Sequence, residues 1–458
     1  MTHTESADIA PDNPIVAKQF VHSTHLRSKL GSAVMIKEKI KYADGTIKPN
    51  LIVYENPKRS FFVTQLKYRN YKYKPEYELA SRLDKFTCFD HDLSRKVASL
   101  FNLGYGYVDR GKLFKSPYIF GADISIEALM KMRYIDDYPD ANMTPTVGFL
   151  DIETSIDTDQ IILISYTYGN IVHTAILQSY LYEEIGGKRV PVSKGDLLKH
   201  IQVNLASRTK GLTLTYDLEI FDSEIKLIAW ILKHVHASQI DFIGIWNMNF
   251  DIPRILSAVG KHNYDPASLF SSPLIPKKYQ YLRYYEDPRP VPHFTLKWHW
   301  LYSTCGSQFL DSMGLYSQCR RTAGFRDKYD LNSVLQDEIG QGKLDLTNGS
   351  HVIMQRHHFK DYVVYNIFDV VGLRLLEDKN NDILSMAVLS GPTPVNKFST
   401  QTIRSTNAMY HSLIGKGMVL SSYSAEDDFT KFDRLISNTG GAVLSTDRVR
   451  GVGIKLTI

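Results

Sequence analysis

The period of apolar and polar positions changes along this chain, and each change marks a boundary between elements. Val147 to Leu150 is a short apolar run set directly against the acidic Asp151 and Glu153. A second run, Ile161 to Tyr168, ends in the turn dipeptide Gly169-Asn170, and Ile171 to Ile176 continues as its hairpin partner. Together these runs predict an antiparallel meander. From Phe221 to Lys233 apolar residues recur at 225, 228, 229 and 232, the spacing of one helix face, with Ser223 or Asp222 placed to cap it. Phe242 to Trp246 reads as a buried strand before Asn247, and His358 to Leu376 carries a helical pattern. Elements in this order predict a helix-flanked mixed sheet.

On either side the texture differs. Residues from about 50 to 145 alternate short apolar runs with a basic helix candidate, Leu93 to Leu103, and predict an α+β domain. The stretch from about 260 to 310 is rich in Pro, Tyr and Ser with poor periodicity, which predicts loops and a hairpin over the site, and Phe309 to Tyr316 predicts a further element. Asn438-Thr-Gly-Gly-Ala-Val-Leu-Ser445 reads as a turn into a strand, and the chain ends on an apolar segment, Ile454 to Ile458.

Composition narrows the class. Apolar residues make up 43 % and charged residues 22 % of 458, ordinary globular values for a chain long enough for two or three domains. No run approaches the roughly 18 to 20 apolar residues that span a bilayer, and the polar start lacks a signal-peptide pattern, so the expected location is the cytoplasm. Cys88, Cys305 and Cys319 form no CxxC pair, which argues against a disulfide framework or a zinc ribbon. The formal charge of +5 permits an anionic partner. Two runs, Lys67 to Lys74 and Lys277 to Tyr285, interleave cations with aromatics, a mixture that suits single-stranded nucleic acid and equally suits a half-exposed strand.

Three acidic patterns carry candidate chemistry. Asp151 and Glu153 stand two apart at the end of an apolar run, so on a strand both leave the same face. Carboxylates on such a face repel unless a cation neutralises them, and hard oxygen ligands select Mg²⁺ or Mn²⁺. Asp251 follows a buried strand at a helix start that Pro253 marks, where a capping role is the ordinary explanation. Tyr365 and Asp369 are four apart and share one helix face, able to hold a water between phenol and carboxylate.

The order of the three, Asp-x-Glu on a strand, then Asn247-x-x-Phe250-Asp251, then Tyr365-x-x-x-Asp369, resembles the Exo I, Exo II and Exo III motifs of DEDDy proofreading exonucleases. The flanks are similar to the family B DNA polymerases of T4-like phages: Tyr118-Ile-Phe-Gly-Ala-Asp-Ile, Gly244-Ile-Trp-Asn247, Tyr329-Asp-Leu-Asn-Ser-Val, Gly342-Lys-Leu and Tyr365-Asn-Ile-Phe-Asp-Val370. The resemblance covers most of the chain after about residue 110. It implies an α/β, RNase H-like domain with a mixed sheet of five strands. It also implies a 3′-5′ exonuclease with two Mg²⁺ ions, Mn²⁺ being possible. Asp151, Glu153 and Asp369 would bind one ion, with Asp151 bridging to a second that Asp251 serves. Tyr365 would orient the attacking water, and Asn247 and Phe250 would position the terminal nucleotide, Asn247 also suiting a backbone cap.

The implied partner is DNA, as a single-stranded 3′ primer end or a primer-template. The implied division is an amino-terminal domain over 1–145, the exonuclease over 146–380, a return to the first domain over 381–436 and the start of a palm over 437–458. Family palm motifs are absent, and Asp447 has no second carboxylate beside it. Asn438-Thr-Gly-Gly441 resembles the family's Tyr-x-Gly-Gly linker with Asn in place of Tyr. The expectation is therefore the exonuclease part of a split or truncated polymerase whose palm sits on a second, carboxy-terminal polypeptide. A stand-alone DNA exonuclease and a non-catalytic DNA-binding remnant are the alternatives.

Overall fold

The computed structural model describes residues 13–28, 31–70, 75–101, 116–186, 188–209, 211–342 and 351–422. Residues 71–74 of the first basic-aromatic run, Lys343-Leu344, and the linker-like and palm-like segments from 437 onward lie outside these. The chain is a mixed α/β protein with two compact units. One joins the residues up to Glu55 with Met130–Ser405; the other joins Asn56–Leu129 with the described residues from Thr406 onward.

The larger unit is built on a six-stranded mixed sheet of β1 (Val147–Thr154), β2 (Ile161–Tyr168), β3 (Ile171–Leu177), β4 (Thr215–Phe221), β5 (Phe242–Ile245) and β6 (Gln308–Asp311). Its order is β4-β3-β2-β1-β5-β6. The meander β1-β2-β3 is antiparallel, with Gly169 at φ 51° in the hairpin turn. β4 lies parallel to β3, and β5 and β6 lie parallel to β1. The sixth strand, beyond the five expected, is β4: TYDLEIF mixes polar and apolar residues as an edge strand does.

Register assigns the two faces. Asp151, Ser165 and Thr174 are successive cross-strand partners, and the Ser165 and Thr174 hydroxyls are 2.9 Å apart. Leu150, Tyr166 and His173 are likewise partners, so they point the other way. Helices α1 (Lys194–Leu205), α2 (Glu224–Ser238), α3 (Met248–Lys261), α4 (Ser312–Cys319) and α5 (Phe359–Asn380) cover the sheet. α5 packs on β1, β2 and α1, while α2 packs on β2, β3 and β4. In α2 the predicted stripe is buried at Ile225, Ile228 and Leu232, and Leu227, Ile231 and Val235 widen it. Gly244 allows the close packing of β5: a Cβ there would sit 2.7 Å from the Phe149 ring and 2.5 Å from the Ser312 hydroxyl. As expected, the stretch after 260 supplies a hairpin, Leu282–Tyr285 with Trp300–Ser303, in which Leu282 and Tyr284 are half-buried and Arg283 and Tyr285 exposed.

Residues before Glu55 form an antiparallel sheet, Ile15–Ser28, Gly31–Tyr42 and Ile47–Glu55. They group with the six-stranded sheet, and the division falls elsewhere than at 145 and 380, because buried polar bonds join them. Lys37 Nζ donates to the carbonyls of Gln239 and Ile240, Thr24 donates to the Ser303 carbonyl, and Lys37 and Lys39 both pair with Asp241. These lysines lie on a buried strand, IKEKI, whose charges gave no sign of burial in the sequence.

The smaller unit centres on Lys58–Thr64 between Leu83–Phe89 and Ile119–Phe120. The expected basic helix runs from Leu93 to Leu100 and buries Leu93, Val97 and Ala98. Met418–Leu420 pairs with Tyr77–Leu79, so the late part of the chain returns to this unit. Arg59 is buried there, its terminal nitrogens donating to Asp90 and to the carbonyls of Gly121, Ala122 and Ile124.

Candidate metal centre

β1 alternates as its sequence requires: Leu150 and Ile152 are buried against one face, and Asp151 and Glu153 are half-buried on the other. α5 crosses that face and adds Asp369, which is 2 % exposed. One carboxylate oxygen from each of Asp151, Glu153 and Asp369 lies within 4.8 Å of the others, an arrangement that could hold a metal ion. Separations of that size suit oxygens sharing a divalent cation at the 2.0–2.6 Å bond lengths of Mg²⁺ and Ca²⁺.

α5 also orients the acids. The Tyr362 hydroxyl donates to Glu153 at 2.6 Å, and the Asn366 amide donates to Asp151 at 2.8 Å. Burial first, then the Glu153 charge, raises the Tyr362 phenol well above its ordinary value, so it remains a donor. Tyr362, Tyr365, Asn366 and Asp369 follow the three- and four-residue steps of one helix face. The Tyr-x-x-x-Asp pattern in the sequence marks only the 365 and 369 members of that face. Tyr365 stacks on Tyr362 with centroids 6.2 Å apart and meets the His351 ring edge-on at 5.2 Å. Just past Glu153, Gln355 fixes the strand end: its amide donates to the Thr154 carbonyl and its oxygen accepts from the Ile156 N–H. No sequence signal marked Gln355, which acts across some 200 positions of chain.

Asp251 is the fourth expected acid. It sits in the first turn of α3, immediately after β5, the parallel neighbour of β1, and is 3 % exposed. It is not among the three acids whose oxygens cluster within 4.8 Å. Nor is it the cap, since Asn247 holds that position. Asn247 is exposed and its side chain makes no capping bond, so the cap explanation weighed for it is not what the structure contains. Phe250 is half-buried with the Arg254 guanidinium 3.4 Å from its ring centroid. Two flanking segments have packing roles: Trp246 donates to the Tyr329 carbonyl, and Asp330 caps the helix Leu331–Ile339 through the Ser333 N–H.

One acid went unnoticed. Asp311 ends β6, level with Ile245 on β5, and caps α4 by accepting from the Gly314 N–H at 2.9 Å. Burial pushes its carboxyl up to about 7, against the pull of N–H groups from Gly314 and His299. Asp311 ends β6 and Asp251 follows β5, while Asp151 lies within β1 two residues beyond its last parallel partner, Phe149, so the three acids lie toward the carboxyl-end side of neighbouring parallel strands, where ligands of open α/β sheets bind. The Tyr284 hydroxyl faces this region: burial, then the charges of Asp311, Glu286 and Asp251, raises its pKa.

No protein-family model matches the chain, and no curated protein matches it. No helix among the described residues is long and apolar enough to cross a membrane.

Proposed function

We propose that the larger unit is an RNase H-like 3′-5′ exonuclease that removes nucleotides from the 3′ end of DNA, in the manner of the proofreading part of a family B polymerase. The observation that carries this reading is the convergence of Asp151 and Glu153 from one strand with Asp369 from a facing helix, with Tyr365 four residues before Asp369 on that helix. An all-oxygen carboxylate set fits Mg²⁺ or Mn²⁺ better than softer metals. Asp151, Glu153 and Asp369 would hold one ion, and Asp251 would serve a second. Bound there, such cations polarise the phosphate and favour both the attacking hydroxide and the leaving 3′-oxygen.

The chain's own part is positional. Tyr362 and Asn366 fix the two strand carboxylates, so little reorganisation remains when substrate arrives. Tyr365 places its phenol to orient the water whose oxygen attacks phosphorus, while the bond to the 3′-oxygen breaks and a nucleoside monophosphate leaves. Asn247, exposed beside the strand ends, and Phe250 would meet the terminal nucleotide. The natural substrate in this reading is a frayed, single-stranded primer end.

Degradation of a 5′-labelled single strand with Mg²⁺ tests it. The wild-type chain should yield a ladder shortening from the 3′ end, and the Asp151→Ala, Glu153→Ala double variant should be slower by roughly 10³-fold or more, the scale of losing a main electrostatic element. Equal rates in the two proteins would sink the assignment.

A further inference from the structure

The strand Ile15–Ser28 is an edge of the amino-terminal sheet, and against it lies a cavity of about 240 Å³ that shares no lining residue with the carboxylate cluster. Residues 18–21 of that strand form one wall, Lys131 and Tyr134 of the helix Ile126–Asp137 a second, and Leu384 and Val388 of the helix Asp382–Leu389 a third. Every lining residue belongs to the larger unit.

The polar lining is one-sided in charge. Three lysines, Lys18, Lys39 and Lys131, line the cavity against one acid, Asp241. That acid is already met by Lys37 and Lys39, and Lys18 lies 3.8 Å from Glu38. Lys131 is 7 % exposed, and among the described residues no carboxylate pairs with it. Its Nζ donates to the Thr393 carbonyl at 2.9 Å and stands 5.9 Å from the centre of the Phe20 ring. An ammonium has three protons to donate, and a buried charge is costly unless it is both paired and hydrogen-bonded. Burial, with no opposing charge, lowers Lys131 to about 7. Counting Lys37, which shares Asp241, three buried ammonium groups face one carboxylate, and when all are protonated a dianion would balance them. Much of the remaining wall is apolar, with Phe20, Met143 and Leu384 among it.

We infer that this cavity binds a small phosphomonoester, its phosphate held by Lys131 and Lys18 and its carbon body laid against Phe20, Met143 and Leu384. A phosphomonoester carries about −1.5 to −2 charges at neutral pH, which matches the local excess, whereas a single carboxylate would leave half of it unopposed. The apolar walls call for a body beside the phosphate, so the bare ion would use only part of the site. Lys18 and Val388 are part-exposed and exposed, which leaves the cavity open to entry. Bound there, the ligand would bridge the edge strand to both helices.

The test uses the full-length chain with chelator present, so that no metal draws phosphate to the carboxylate cluster. Calorimetric titration with phenyl phosphate should find one site per chain, and the compound should raise the melting temperature. Phenol, the same ring without the charge, should do neither. Lys131→Met keeps the length of the side chain and removes its charge. It should fold at least as stably as the parent, because an apolar group replaces a buried charge that no acid opposes, and should bind phenyl phosphate roughly 10- to 100-fold more weakly, the scale of a hydrogen bond to a charged group. Lys18→Gln, at a part-exposed position, should weaken binding by a smaller factor. Absence of phenyl phosphate binding, equal affinity in either lysine variant, or phenol binding as tight as that of phenyl phosphate would each overturn the site.

Discussion

Asp241, just before β5, and the trio of Asp151 and Glu153 on β1 with Asp369 on α5 are acids of the same unit, and the chain handles them in opposite ways. Asp241 is met by its own cations: Lys39 Nζ lies 2.5 Å from one oxygen and Lys37 Nζ 3.3 Å from the other, and the Thr146 N–H and hydroxyl also donate. Burial works to raise its pKa, but the two ammonium groups and these donors prevail and hold it below the ordinary value. At the trio, three carboxylates crowd together, and the donors that reach Glu153 and Asp151 from α5 are a neutral phenol and a neutral amide. Asp311 shows a third outcome, burial that favours the protonated acid. A buried acid is tolerated when it is paired, protonated or bound to metal, and only the last leaves it available for chemistry.

Breaking the paired site should have the largest effect on stability. Asp241→Ala leaves two buried ammonium groups unpaired and should cost about 3–5 kcal/mol, read by denaturant unfolding. The corresponding Asp369→Ala should not approach that loss, because it relieves repulsion; comparable destabilisation at both positions would erase the distinction.

Asp311 supplies the next effect. Its folded pKa is raised to about 7 from 3.8, so the folded state holds the proton more tightly. Its contribution is fully present below about pH 4 and is lost as pH rises to about 7, by up to roughly 4 kcal/mol at about 1.4 kcal/mol per unit. Asp311→Asn keeps an acceptor for the Gly314 N–H and should flatten unfolding free energy against pH across that window. An unchanged slope would remove Asp311 from the account.

The smallest effect sharpens the comparison most. Tyr362→Phe deletes the donor to Glu153 without altering the ligand set, so half-saturation by Mg²⁺ should need roughly 10-fold more ion, about 1.4 kcal/mol. If the Mg²⁺ dependence of nuclease activity does not move, the phenol plays no part in fixing that carboxylate.

Much of this was legible in the chain, for identifiable reasons. The meander from Val147 to Leu177 follows its apolar runs because each is bounded by a turn or by charge. The helix over 224–238 follows its stripe because one face is solvated. α5 is less readable as a surface helix, since Tyr362 to Leu373 is buried on all sides and apolar residues there show no preferred face. The strand Thr215–Phe221 was missed because an edge strand with one wet face carries little apolar signal.

By itself the sequence determined that Asp151 and Glu153 share a face and that Tyr365 and Asp369 share another, because those relations are local and follow from strand and helix periods. It could not determine that Asp369 meets Asp151, that Asn366 and Tyr362 hold the strand acids, that Lys37 reaches Asp241, or that His173 lies against His234. These are contacts across 61 to 218 positions; packing of α5 and α2 on the six-stranded sheet decides those made by their side chains, and the seating of the strand Gly31–Tyr42 beside Asp241 decides the Lys37 pair. Local spacing marked Asp151, Glu153, Asp251 and Asp369 but neither Asp241 nor Asp311; which acids cluster where a metal ion could be held, which is met by lysines and which is driven toward its protonated form was decided by what the fold buried beside each one.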